Sequence, residues 1–223
     1  MIAPKLFNSI YNCDPWQDSF QKTLREYKFL EPKKSWENFL LLSGHVNFQR
    51  LFPDFFKTFI ELIKKSYNPD LALHNFERFT QTINDKNYLY TILSTSPETL
   101  KSLIVLFSGS QVLTDSLISE PSFFEWINNS EIINNSRSKD EFMRAYYEFA
   151  EENYLADNTP QQLRKFKKRE YIRIGLRDLL GKTDFEETGR DLSCLADSSL
   201  QVAYEYAAEK MKEKYGIPYY KWF

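Results

Sequence analysis

Residues 163–181 read LRKFKKREYIRIGLRDLLG. Seven of the nineteen are Lys or Arg, threaded through Phe166, Ile172, Ile174, Leu176, Leu179 and Leu180. Wound at about 100° per residue, the stretch becomes a helix with unlike faces. Arg164, Lys167, Lys168 and Asp178 share one arc, which reads as a solvated surface with a basic patch. Arg169, Arg173 and Arg177 recur every four residues as a stripe flanked by Phe166, Leu176 and Leu180. A buried charge without a partner is very costly, so this stripe calls for carboxylates. Asp191 and Asp197 on the next helix, and Glu77 upstream, are the candidates. The planar guanidinium fork suits such pairing. The competing reading is that the stripe meets a phosphate or an acidic partner surface; the spacing favours internal pairing.

The same helical pattern extends in both directions. Asn68-Pro69-Asp70, Ser96-Pro97-Glu98 and Thr159-Pro160-Gln161 each set a capping side chain before a proline. The cap oxygen satisfies a first-turn amide, and proline has no N–H to strand there. Apolar residues follow at three-and-four spacing: Leu71, Leu73, Phe76, Phe79 and Ile83, then Leu100, Leu103, Ile104, Leu106 and Phe107. Residues 53–66 repeat the pattern. Residues 138–156 turn Phe142, Ala145, Tyr146, Phe149 and Ala150 inward. A last helix is expected to start near Thr183, with a Thr183/Glu186 capping box. It runs through Leu192, Leu195, Ala196, Ala203, Tyr206 and Ala207 to a stop at Gly216 and Pro218. Strand-like alternation is not evident. The expected fold is all-α, an array or bundle of about ten helices with long antiparallel C-terminal helices. The Asn/Ser-rich stretch at 128–139 is the best internal boundary. The expected organisation is an N-terminal helical extension (1–50), a helical subdomain (51–130) and a long-helix subdomain (131–223).

The chain has 223 residues, 42% hydrophobic and 27% charged, enough to bury a core. Six glycines disfavour many-stranded folds and glycine-rich phosphate loops. A formal net charge of -2 makes nucleic acid a disfavoured partner, so any basic region is local. Cys13 and Cys194 are far apart and form neither a disulfide framework nor a metal site, which fits a cytoplasmic protein. The N-terminus lacks a signal-peptide core, and no apolar run is long enough to span a bilayer, so no membrane partner is expected.

Catalytic signatures are sparse. His45 and His74 lack metal-ligand spacing, and Cys194 reads as a packed thiol. Ser108-Gly109-Ser110 lacks the lysine of a P-loop; Gly109 reads as a helix stop and Ser110 as the next start. No Asp-x-Asp pair is present to gather the metals of phosphoryl or nucleotidyl transfer. No catalytic or metal residue is assigned in this chain.

Four segments, in order, resemble a known family. NPDLALHNFERF (68–79) looks like D-P-D-x-x-L-x-N-F-E-R-F, with Asn68 for the first Asp. LFSGSQVLTDSLISEP (106–121) resembles G-x-S-x-x-L-x-x-x-L-x-x-x-P. The basic helix is similar to R-R-x-x-x-x-R-I, with Lys168-Arg169 for the double arginine and then Arg173-Ile174. Leu192-Ser193, Leu195-Ala196 and Asp197 supply L-S-x-L-A-[DE]. Together, over roughly residues 50–223, they resemble the N-terminal half of glutamine synthetase adenylyltransferase, the bifunctional adenylylating and deadenylylating enzyme.

The resemblance implies AMP transfer from ATP to a glutamine synthetase tyrosine, and phosphorolytic removal of that AMP, in nitrogen regulation. It implies Mg²⁺ and ATP for the full-length family, and glutamine synthetase and a nitrogen-signal regulatory protein as partners. The family's metal-binding S-D-x-D motif would follow a stretch like KYGIPYYKWF, after a strand and a glycine-rich turn. The expectation is therefore a helical scaffold preceding the nucleotidyltransferase core, not catalytic alone and binding no cofactor itself. The alternative is a self-contained helical module that grips an acidic protein or nucleic acid through its basic helix. The scaffold reading also expects an apolar patch near the C-terminal helix.

Overall fold

The computed structural model describes residues 18–43, 46–153 and 159–217. Among the described residues there are twelve α-helices and no strand, so the all-α expectation holds. No helix among them is long and apolar enough to cross a membrane. The chain clusters into two compact units, Met1–Asn128 and Asn129–Phe223.

The first unit holds α1 (Asp18–Glu26), α2 (Pro32–Ser43), α3 (Val46–Lys65), α4 (Pro69–Thr82), α5 (Lys86–Thr95), α6 (Pro97–Gly109), α7 (Gln111–Ser119) and α8 (Phe123–Ile127). Two of the expected cap-proline starts are formed here. Asn68 Oδ1 accepts from the Leu71 amide at 3.1 Å, and Ser96 Oγ from the Thr99 amide at 3.4 Å. At the third, Thr159 is itself the first helical residue rather than a cap ahead of the helix, and the preceding residues 154–158 lie outside the described residues. Ser110 caps α7 immediately after α6 ends at Gly109. Helix α4 packs on α2, α3, α6 and α7, and its Phe76 and Phe79 are fully buried. Rings link the elements: Phe59 to Phe76 at 4.7 Å, Phe79 to Phe107 at 5.5 Å and Phe79 to Phe124 at 5.7 Å. These tilted and edge-on pairs are the favoured aromatic geometries. Ile83, expected inward, lies just past the end of α4 and is only half-buried.

The second unit holds α9 (Ser130–Asn134), α10 (Lys139–Glu152), α11 (Thr159–Leu179) and α12 (Phe185–Tyr215). Ser138 and Glu141 close a capping box at the start of α10. Helix α11 packs against α9, α10 and α12, so it is buried on several sides rather than along one stripe. It ends at Leu179, and just beyond it Gly181 has a φ of 66°, which favours glycine. The Lys182 amide then reaches back to the Arg177 carbonyl at 2.9 Å, a bond of the kind that closes glycine-terminated helices. Helix α12 starts one residue later than the capping-box expectation. Asp184, in extended backbone, accepts from the Glu187 amide at 2.8 Å and displaces Thr183 from the cap.

Along α12, burial stops early. Leu195, Ser198, Ser199 and Val202 are buried, but no later residue is. Ala203 and Ala207, through which the helix was expected to run, are exposed, and Tyr206 is half-buried. At the level of these residues lies the start of α11, marked by the contact of Pro160 and Leu163 with the cavity that Ala203 and Tyr206 also line. Past Val202, α12 carries no buried residue among those described.

Candidate functional site

The stripe read from LRKFKKREYIRIGLRDLLG lies inside the second unit. Arg173 is fully buried, Arg177 nearly so, and Arg169 is buried among rings. Arg173 donates from Nε to Glu170 Oε2 at 2.7 Å, from Nη1 to the Asn135 carbonyl at 2.8 Å and from Nη2 to Asp191 Oδ2 at 3.4 Å. Arg177 donates from Nη1 to the same Asp191 oxygen at 2.8 Å and from Nη2 to Glu187 at 2.7 Å. Its Nε has no acceptor among the described residues. Arg137 completes the group: its Nη1 meets Glu170 Oε1 at 2.6 Å, and its backbone amide donates to Asp191 Oδ1 at 3.3 Å.

Four guanidiniums thus face three carboxylates in a largely dry setting. Glu170 and Asp191 are each shared by more than one arginine, so neither is left as a lone buried anion. Arg169 sits 4.5 Å above the Phe149 ring and 5.5 Å from Phe166, with its Nη2 3.9 Å from Glu170. Burial pushes its pKa down to about 10, against the pull of Glu170, while the positive Arg137 adds to the lowering. Arg173 likewise lies over the Phe142 ring at 5.4 Å. At the outer end, the bond from Arg177 holds the Glu187 carboxyl below its ordinary range.

Of the carboxylates named from the sequence, Asp191 joins the cluster and Asp197 does not. Six residues along a helix turn a side chain by roughly 120° from its start, so Asp197 is exposed while Asp191 faces α11. Glu77 is buried in α4 of the other unit, where its carboxylate accepts from Gln81 at 2.9 Å. Sequence reasoning missed Glu170, the acid inside the basic strip, although its three-residue offset from Arg173 is a helix-pairing signal. It also missed Arg137 and Asn135, which lie in the polar stretch read only as a boundary. Arg164 and Lys168 are exposed and Lys167 is half-buried, its ammonium 5.9 Å from the Tyr171 ring.

In the first unit, the 68–79 motif also has structural work. Asn75 is fully buried and donates from Nδ2 to the Phe107 carbonyl at 2.9 Å and to Gln111 at 3.0 Å. Arg78 bonds Asn75 Oδ1 at 3.1 Å and Asp115 at 2.9 Å. The pair therefore clamps α4 to the α6–α7 corner at Ser108-Gly109-Ser110. Asp70, expected to favour the α4 dipole, reaches further. It accepts from the Leu30 and Glu31 amides at 2.7 and 3.1 Å and from Ser35 Oγ at 2.7 Å, capping the entry to α2.

Among the described residues, no three His, Cys, Asp or Glu side chains gather as a metal site. The donor set expected for Mg²⁺ is therefore not formed by these residues, and none is assigned to Mg²⁺ or ATP. What the charged cluster does chemically is hold α10, α11, α12 and the 135–137 loop together.

Comparison with known proteins adds a second line. A family model described as "Glutamate-ammonia ligase adenylyltransferase" matches residues 100–221, more than half of the chain. A relative from Pseudomonas aeruginosa is 39% identical over 62 residues, covering 28% of this chain and 6% of that protein. One from Nitrosococcus oceani is 27% identical over 159 residues, covering 66% and 15%. One from Corynebacterium glutamicum is 20% identical over 210 residues, covering 90% and 20%. All three are named "Bifunctional glutamine synthetase adenylyltransferase/adenylyl-removing enzyme". The matches span a fifth or less of the length of each of these relatives.

Proposed function

Because the chain belongs to the glutamate-ammonia ligase adenylyltransferase family, we propose that its helices scaffold a nucleotidyltransferase unit. In this reading that unit adds or removes AMP on a glutamine synthetase tyrosine, with ATP and Mg²⁺, under a nitrogen-signal regulatory protein. The helices position it and do not themselves carry the chemistry. Glutamine synthetase is the partner that the relatives' names point to.

The observation that carries the proposal is the face of α12. Leu200 (69% exposed), Tyr204 (69%), Met211 (57%) and Tyr215 (66%) lie along one side of it, with Ala207 between. The spacing from Leu200 through Tyr204 and Ala207 to Met211 is four, three and four, that of a packing seam. Large apolar side chains aligned in this way mark an interaction surface. The charged cluster supports the reading in a second way: its arginines are occupied by Glu170, Asp191 and Glu187, and its role is to fix the base of that helix.

The test is an assay of this 223-residue protein on adenylylated glutamine synthetase with Mg²⁺ and phosphate. The expected result is no AMP release above background. Robust metal-dependent release would contradict the scaffold reading. As a companion, Leu200→Asp with Met211→Asp should leave stability within about 0.5 kcal/mol per site, as for ordinary surface changes. A large loss would mean that the face is already packed.

A further inference from the structure

A different surface of the second unit carries a separate inference. Where the start of α11 meets α12, a cavity of about 220 Å³ opens between Pro160, Leu163, Ala203 and Tyr206, with Arg164 and Lys167 at its rim. Its walls are mostly apolar and its rim is cationic. The volume falls below the roughly 300–1,000 Å³ of small-molecule sites, which suits one side chain rather than a whole ligand.

The rim charge is not neutralised locally. Arg164, Lys167 and Lys168 form no ion pair among the described residues, in contrast to the arginines one face away. The carboxylates on the adjoining stretch of α12 are engaged elsewhere. Glu205 accepts from Tyr147 at 2.6 Å and from Gln201 at 2.8 Å. Glu209 holds Lys212 at 2.9 Å, and Glu213 holds Lys210 at 3.2 Å. Asp178, on the same arc as Lys168, lies ten residues along α11, about 15 Å away at the rise of a helix. Two cations, Arg164 and Lys167, therefore line an apolar cavity, with Lys168 next along α11, and none of the three has an ion-pair partner among the described residues.

We propose that this end of α11 and α12 docks an acidic peptide segment of a protein partner, with one apolar side chain in the cavity and flanking carboxylates on Arg164, Lys167 and Lys168. The inference rests on this corner alone and stands independently of the scaffold reading. Charge complementarity orients the segment, and the cavity selects the residue at its centre. The chain's net charge of -2 and the single-residue cavity fit a peptide better than nucleic acid, which needs an extended basic track with stacking platforms.

The test uses fluorescein-labelled peptides EEEFEEE and EEESEEE and a labelled oligo-dT, followed by anisotropy on the intact chain at low and moderate salt. EEEFEEE is expected to bind, and EEESEEE about tenfold or more weakly, as burial of a phenyl ring dictates. Ala203→Phe, which fills the cavity from its own wall, should weaken EEEFEEE to the level of EEESEEE without lowering the melting temperature. Arg164→Glu with Lys167→Glu should weaken both peptides. Equal binding of the two peptides would overturn the proposal, leaving only a diffuse basic face. So would tighter binding of oligo-dT than of EEEFEEE, or no binding of EEEFEEE at low salt. Should either variant fail to fold, the two peptides and the oligonucleotide decide the matter on the unaltered chain.

Discussion

From Phe59 to Phe124, the first unit is closed by rings that meet edge-on or tilted. From Arg137 to Asp191, the second is closed by guanidiniums and carboxylates in a comparably buried setting. Both solve the problem of fastening helices, with opposite tolerances. An aromatic contact degrades gradually when a ring shrinks, because dispersion and burial scale with the atoms that remain. A buried ion cluster fails abruptly, because removing one member leaves the others charged and dry.

The largest effect should come from breaking the charged core. Arg173→Ala is expected to cost about 3–5 kcal/mol in chemical denaturation, since Glu170, Asp191 and the Asn135 carbonyl all lose a donor. Arg173→Lys should recover little, because an ammonium cannot reproduce a three-way fork. In the first unit, Phe76→Ala should cost a similar 3–5 kcal/mol, but Phe76→Leu distinctly less, because most of the buried hydrocarbon remains. If Arg173→Lys proved as mild as Phe76→Leu, the contrast between the units would collapse. Next in size, Asn75→Ala should cost about 1–3 kcal/mol by leaving the buried Phe107 carbonyl without its side-chain donor.

A smaller effect is carried by pH. The bond from Arg177 lowers the Glu187 pKa from its ordinary 4.5. A carboxylate whose folded pKa is depressed adds stability above the unfolded value and loses it as pH falls through the folded one. Melting curves recorded between about pH 6 and 3 should therefore drop more steeply for the native chain than for Glu187→Gln. Parallel curves would remove Glu187 from the cluster. Smallest of all, Lys168→Glu on the exposed face should change stability by no more than about 0.5 kcal/mol.

The two cores also differed in how far the sequence disclosed them. The aromatic core was legible because its pattern is local: Phe76 and Phe79 fall on the inward face of a helix whose start Asn68-Pro69 announces. The charged core was half legible. A spacing of four put Arg169, Arg173 and Arg177 on one stripe, and cost alone required acids against them. Which acids was a question of rotation and loop path. Asp191 and Asp197 lie on one helix, yet only the first faces α11. Glu170 was hidden by its basic neighbours. Arg137 and Asn135 were hidden because a loop's backbone carries no periodic signal, although its amide and carbonyl meet the cluster. An apolar patch was expected near the C-terminal helix; α12 exposes Leu200, Tyr204 and Met211, and Ala203 and Ala207 of the same helix are exposed as well. Periodicity shows that a face is apolar, not whether anything covers it.

The central claim is that the arginine stripe is an internal clamp and not a receptor for an outside anion. A double-mutant cycle on Arg177→Ala and Asp191→Ala tests it most directly, read by denaturant unfolding. The clamp predicts strong coupling: the second substitution should cost far less once the first is made, with an interaction energy of about 1–3 kcal/mol. Strictly additive losses, with native-like stability in Arg177→Ala, would contradict it.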